Sequence, residues 1–223
     1  MMSPFALAFR AARLALVLFG AVTWLSDVQA QGEPPVDAAG VAQRVCSACH
    51  GAGGVSVNPL VPTLAGQPYT LIEDNLLAFR AGQRSCSPQR ADGSPSAALA
   101  QTMCAQVQDL QDHEIAALAG YFEREEFVAA RQDFDSTLVT RGAEVHRSGG
   151  CDRCHAQGGT ATLGMAPVLA GQWTPYLRRA LDAVRAGTRN GPKMMNEPLR
   201  ELDDSAVEAL LSYYASQPYA QAQ

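Results

Sequence analysis

The chain has 223 residues, 47% of them hydrophobic and 17% charged, which excludes a disordered polypeptide and allows one large domain or two small ones. A formal net charge of −5 leaves no basic excess to neutralise phosphates, which excludes nucleic acid as the partner. Six cysteines are too few for a disulfide-stapled miniprotein, and aromatic residues, at 7%, would make a thin core on their own.

The chain opens with an export signal. Arg10 and Arg13 precede the apolar run Leu14 to Leu25, and Val28-Gln29-Ala30 supplies small residues where a signal peptidase reads. The run is shorter than the roughly 20 residues that a spanning helix needs. Residues 1–30 are therefore expected to be removed by cleavage after Ala30, and the mature protein is placed in the periplasm. No later segment approaches a transmembrane length, so no integral anchor is expected; a peripheral membrane contact stays open.

The first chemical motif is Cys46-Ser47-Ala48-Cys49-His50, followed by Pro62-Thr63-Leu64-Ala65-Gly66-Gln67. A helix is predicted over Tyr69–Ala81, closed by Gly82. A turn-rich stretch follows, with Cys86 on its near side and Met103 and Cys104 on its far side. The last helix of this half begins at Asp112 as its cap, with Ile115, Leu118, Ala119 and Phe122 on one face. A charged stretch near Val128–Asp135 marks a boundary between residues 31–128 and 129–223.

The second half then repeats the first. Cys151-Asp152-Arg153-Cys154-His155, Pro167 to Gln172 and Arg185-Ala186-Gly187 recur at an offset of 105 residues. A helix is predicted over Thr174–Ala186, closed by Gly187. Beyond it the offset falls to 92. Met195 then matches Met103, Leu202 matches Leu110, and Tyr213-Tyr214 matches Tyr121-Phe122. The first copy thus carries 13 extra residues between Arg84 and Met103. Val207, Leu210, Leu211 and Tyr214 form the last apolar stripe, with Asp203 or Asp204 as its cap. Strand alternation is not evident, so an all-α fold is expected.

C-x-x-C-H names the cofactor. Two thiols two residues apart add across two haem vinyl groups, and the next histidine is carried under the iron. Two copies inside a repeat leave little room for a zinc or dithiol reading. Cys46, Cys49, Cys151 and Cys154 are therefore read as covalent attachments for two haem c groups, with His50 and His155 as axial ligands. Met103 and Met195 are the repeated soft donors for the opposite axial positions; Met194 stands as the alternative to Met195, and Met165 competes without a counterpart. Pro62 and Pro167 offer carbonyls to the ligating imidazoles, and Leu64 and Leu169 would pack on the rings. Arg80, Arg84, Arg185 and Arg189 are either propionate partners or solvated helix ends. His113 and His146 are expected in surface or cap roles. In an oxidising compartment Cys86 and Cys104 would form a disulfide; the other reading makes one of them a thiolate ligand to iron.

These motifs over the whole mature chain resemble the dihaem cytochromes c4, with two class I cytochrome c domains in tandem. The resemblance implies periplasmic electron carriers whose two domains pack about a pseudo-twofold. It implies Cys46, Cys49, His50 and Met103 around one haem and Cys151, Cys154, His155 and Met195 around the other. The arrangement is also similar to the cytochrome subunit of flavocytochrome c sulfide dehydrogenases. With both axial positions filled, the iron cycles Fe(III)/Fe(II) by outer-sphere transfer, so a carrier rather than an enzyme is expected. Its donor would be a dehydrogenase or quinol-oxidising complex and its acceptor a terminal oxidase or reductase. The alternatives are an electron-accepting subunit of a dehydrogenase and, third, a haem enzyme using Cys-ligated iron. Residues 31–130 hold five basic and eleven acidic groups, whereas residues 131–223 hold ten of each. The acidic first half is thus expected to steer toward a basic partner surface.

Overall fold

The computed structural model describes residues 35–86, 102–161, 164, 166–189 and 191–217. The export segment, residues 87–101 of the insert and Met165 lie outside the described residues. Among the described residues the regular structure is helical, without strands.

In the first half, α1 (Ala38–Val41) is capped by Asp37, whose carboxylate accepts from the Gly40 N–H at 2.9 Å. It widens into a π turn over Ala42–Cys46 and tightens again as α2 (Ser47–His50). Then come α3 (Tyr69–Arg80), α4 (Met103–Val107) and α5 (Asp112–Arg124). The second half holds α6 (Val139–Ser148), α7 (Ala156–Gly159), α8 (Thr174–Arg185), α9 (Lys193–Glu201) and α10 (Asp204–Ser216). The repeat is carried at both ends of its main helices. Helix α3 maps onto α8 at the 105-residue offset, and α5 maps onto α10 at 92. Gly82 and Gly187 follow α3 and α8 in the left-handed conformation that stops a helix, at φ 68° and 70°.

Two hydrophobic clusters follow from the two stripes. Ile115, Leu118 and Phe122 of α5 close on Ile72 and Leu76 of α3 and on Val41. Val207, Leu210, Leu211 and Tyr214 of α10 close on Leu177 of α8. Each such side chain contributes about 1.5–3 kcal/mol when fully buried.

One cap differs from expectation. The residue that caps α5 is Gln111, and the Glu114 carboxylate accepts from its N–H at 2.9 Å. Asp112 lies one residue inside the helix, where it pairs with Arg80. An acidic residue there still favours the positive helix end, so the pattern misplaces the cap by one. At α10 Asp203 caps, accepting from the Ala206 N–H at 2.7 Å.

The residue just before the charged boundary stretch is buried, although Val128 itself is 41% exposed. Phe127 is 2% exposed. The Ala130 N–H donates to the Gly171 carbonyl at 2.7 Å, and Gln132 donates to the Gln172 carbonyl at 2.8 Å while accepting from the Thr174 N–H. The connection is therefore stitched to the second half.

Candidate haem sites and the boundary between them

Each C-x-x-C-H segment ends a short helical turn. In the first, Cys46 closes the π turn and Cys49 and His50 fall on α2, which stops at Gly51. In the second, Cys151 opens a 3-10 turn and Cys154 and His155 follow it. Cys49 is exposed and the other three motif thiols are partly buried. Burial, then the neighbouring Cys49, pushes the Cys46 thiol up to about 11. Cys151 is also raised, first by burial.

Both imidazoles are buried, His50 at 5% and His155 at 8% exposure. His50 Nδ1 lies 2.9 Å from the Pro62 carbonyl and His155 Nδ1 lies 3.0 Å from that of Pro167. A carbonyl only accepts, so Nδ1 carries the proton and Nε2 is left as the metal-binding nitrogen. Burial holds both imidazoles below their ordinary pKa, against the opposing pull of these hydrogen bonds. A neutral ring with Nε2 free is the form that ligates iron. Leu64 and Leu169 pack against the first and second clusters, respectively.

Met103 heads α4 and packs on the first cluster. In α9 Met195 is partly buried, whereas Met194 is 64% exposed. Of the two adjacent thioethers, Met195 is thus the one withdrawn from solvent. Cys86 and Cys104 are joined as a disulfide with Cα atoms 5.9 Å apart. In that state neither sulfur is a thiolate.

The four repeated arginines divide into two kinds. Arg80 donates to the Leu110 carbonyl at 2.5 Å and pairs with Asp112. Arg185 does the same with Leu202 and Asp204, both at 2.9 Å. These two latch α3 and α8 to the starts of α5 and α10. Arg84 and Arg189 instead both hydrogen-bond the Tyr176 phenol, Arg84 across the boundary between halves and Arg189 from within the second half. Burial pushes that phenol up, but the two guanidiniums outweigh it and hold it below its ordinary value. The Arg84 guanidinium also donates to Asn75 Oδ1 at 2.5 Å and lies 4.3 Å over the Phe79 ring, while Tyr176 and Arg189 act on its charge. Two guanidiniums converging at a boundary fit the anionic propionates of haem.

Several participants escape sequence reasoning. His146, expected in a surface or cap role, is 2% exposed, and its Nδ1 lies 3.0 Å from the Tyr214 hydroxyl. At the two offsets its counterpart is Val41 and that of Tyr214 is Phe122, so a polar pair stands where the first copy has an apolar one. That paired change was the available signal. Trp173 donates its indole N–H across the boundary to the Ser56 carbonyl at 2.9 Å, and Arg179 reaches the Leu60 carbonyl at 2.5 Å. Gln67 and Gln172 also cross.

Two thiol pairs, each with a buried imidazole presenting Nε2, fit two covalent haem groups, and the comparisons agree. The family model described as "Cytochrome c" matches residues 36–124, and that of the "Cytochrome C oxidase, cbb3-type, subunit III" matches residues 137–213. The chain is a c-type cytochrome of two class I domains, carrying two covalently bound haem c groups. It is 31% identical to cytochrome c4 of Pseudomonas aeruginosa over 79% of this chain and 86% of that protein. The reduced recombinant cytochrome c4 of Pseudomonas stutzeri superposes with a TM-score of 0.64 at 29% identity, covering 80% of this chain and 97% of that one. The "Thiosulfate dehydrogenase electron acceptor" of Thiomonas intermedia is 28% identical over 92% of this chain and 90% of its own length. The chain belongs to the cytochrome c4 family and is a dihaem electron-transfer cytochrome.

Proposed function

We propose that this cytochrome is exported to the periplasm and carries one electron per haem from a dehydrogenase or quinol-oxidising complex to a terminal oxidase or reductase. His50 with Met103, and His155 with Met195, would hold the two haem irons. When bound, the haem supplies reversible Fe(III)/Fe(II) chemistry. The observation that carries the reading is the pair of imidazoles held through Nδ1 by Pro62 and Pro167, with one methionine withdrawn from solvent in each half. His/Met ligation fills the iron and raises the potential, which suits outer-sphere transfer. The third reading, a haem enzyme with Cys-ligated iron, loses its ligand when Cys104 is bonded to Cys86. No helix among the described residues is long and apolar enough to cross a membrane.

A second reading is favoured by the name of the Thiomonas relative: the donor is one dedicated dehydrogenase, with thiosulfate dehydrogenase as the candidate. Stopped-flow mixing of oxidised cytochrome with that enzyme and thiosulfate tests it. Reduction of both haems within enzyme turnover supports a dedicated acceptor. Reduction no faster than thiosulfate alone contradicts it and leaves the general carrier. For the carrier itself, absorption spectra are expected to show methionine–iron charge-transfer bands from both ferric haems. A high-spin or thiolate spectrum would contradict it.

A further inference from the structure

The two copies of Pro-x-Leu-Ala-Gly-Gln end in glutamines that no iron ligation requires. Both are buried, Gln67 at 4% and Gln172 at 3% exposure. A buried primary amide needs partners, and each finds two in the other half, Gln172 Oε1 accepting also from the Trp173 N–H at 3.1 Å. The Thr63 N–H donates to Gln172 Oε1 at 3.0 Å, and Gln172 Nε2 donates to the Thr63 carbonyl at 2.9 Å. Reciprocally, the Val168 N–H donates to Gln67 Oε1 at 3.0 Å, and Gln67 Nε2 donates to the Val168 carbonyl at 3.3 Å. Thr63 and Val168 are equivalent at the 105-residue offset, so the exchange is pseudo-twofold.

The place of these bonds gives them a consequence. The N–H of Thr63 and the C=O of Pro62 belong to one planar peptide group. That group accepts from His50 at its oxygen and donates to Gln172 at its nitrogen. The Pro167–Val168 peptide stands in the same way between His155 and Gln67. A peptide whose N–H is well bonded is more polarised, and its oxygen is the better acceptor. A better acceptor draws the Nδ1 proton outward and makes Nε2 the stronger donor to iron. Thr63 and Val168, at 1% and 3% exposure, sit in buried surroundings, where hydrogen bonds are electrostatically stronger.

We infer that Gln172 is a positioning and tuning residue for the haem of the first domain, and Gln67 for the haem of the second. The axial histidine of each domain is thereby biased by its neighbour. A stronger imidazole favours Fe(III), so each glutamine lowers the potential of the opposite haem. Domain separation would raise both potentials together. The inference rests on His50 and His155 being the axial ligands.

The test is redox titration of the holoprotein followed by paramagnetic proton NMR, with haem methyls assigned to each domain. In Gln172→Leu the first haem shifts positive while the second stays; in Gln67→Leu the pattern is crossed. Gln172→Glu keeps an acceptor, and a charged one, so the first haem shifts negative or stays at the wild-type value. Trp173→Phe removes a boundary hydrogen bond that lies on neither histidine path, and shifts neither haem. A shift at the haem of the mutated domain, an equal shift at both, or a match to Trp173→Phe would overturn the inference. Should the leucine variants fail to fold, a positive first-haem shift in Gln172→Glu overturns it alone. Wild-type spectra without two His/Met haems would instead remove the ligand assignment beneath it.

Discussion

At the scale of single residues, the adjacent methionines give the sharpest contrast. Met194 is 64% exposed and Met195 is withdrawn, so exposure agrees with the alignment of Met195 to Met103. Met195→Leu is expected to abolish the methionine–iron charge-transfer band of one haem, and Met194→Leu to leave both bands in place. The reverse outcome would exchange the two. The His146–Tyr214 pair offers a second prediction. His146→Val alone leaves the buried Tyr214 hydroxyl with only the Cys151 sulfur, a weak partner, beside it. That is expected to cost about 1–3 kcal/mol in denaturant unfolding. Adding Tyr214→Phe reproduces the Val41–Phe122 arrangement of the first half and is expected to recover much of the loss. An additive double variant would mean that the pair is not coupled. The cysteines, histidines and prolines were legible in sequence because bond chemistry dictates their spacing. His146 was not, because one histidine on a helix says nothing of which face is buried.

At the scale of elements, the crossing of α6 and α10 depends on Gly142. A Cβ added there would stand 2.1 Å from the Ala209 carbonyl oxygen and 2.6 Å from the Tyr213 Cβ. Both neighbours belong to a packed helix, so the helices must separate. Gly142→Ala is expected to destabilise by about 1–3 kcal/mol or more. Gly82→Ala meets nothing within 4 Å among the described residues and bears the left-handed backbone strain of about 1–2 kcal/mol. Thermal unfolding of the two variants ranks them, and a larger drop for Gly82→Ala would contradict the packing argument. The Cys86–Cys104 bridge ties the approach to α4, which starts at Met103. Closing that loop contributes very roughly 3 kcal/mol in the chain-entropy model. Replacing both cysteines by serine is expected to lower stability by that order and to weaken the methionine band of the first haem only. Helix extents were readable because the two copies check each other, as α3 against α8 shows. The cap of α5 was misplaced because Asp112 suits both the cap and the first turn.

At the scale of the whole molecule, the halves differ in charge, with a net −6 over residues 31–130 and zero over 131–223. Reduction by a basic partner is expected to slow as ionic strength rises, and a flat dependence would dismiss steering. What one sequence leaves unread is how the copies face each other. Trp173, Tyr176 and the two glutamines each make a contact across the boundary, and no period or spacing within one copy marks it. The central claim is that two His/Met haems work as two one-electron centres on one chain. Its most direct test is a coulometric redox titration of the purified holoprotein, with visible absorbance followed throughout. The account predicts two electrons per polypeptide, with both methionine bands lost on reduction and regained on oxidation. Uptake of a single electron, or a ferric haem that lacks its methionine band, would contradict it.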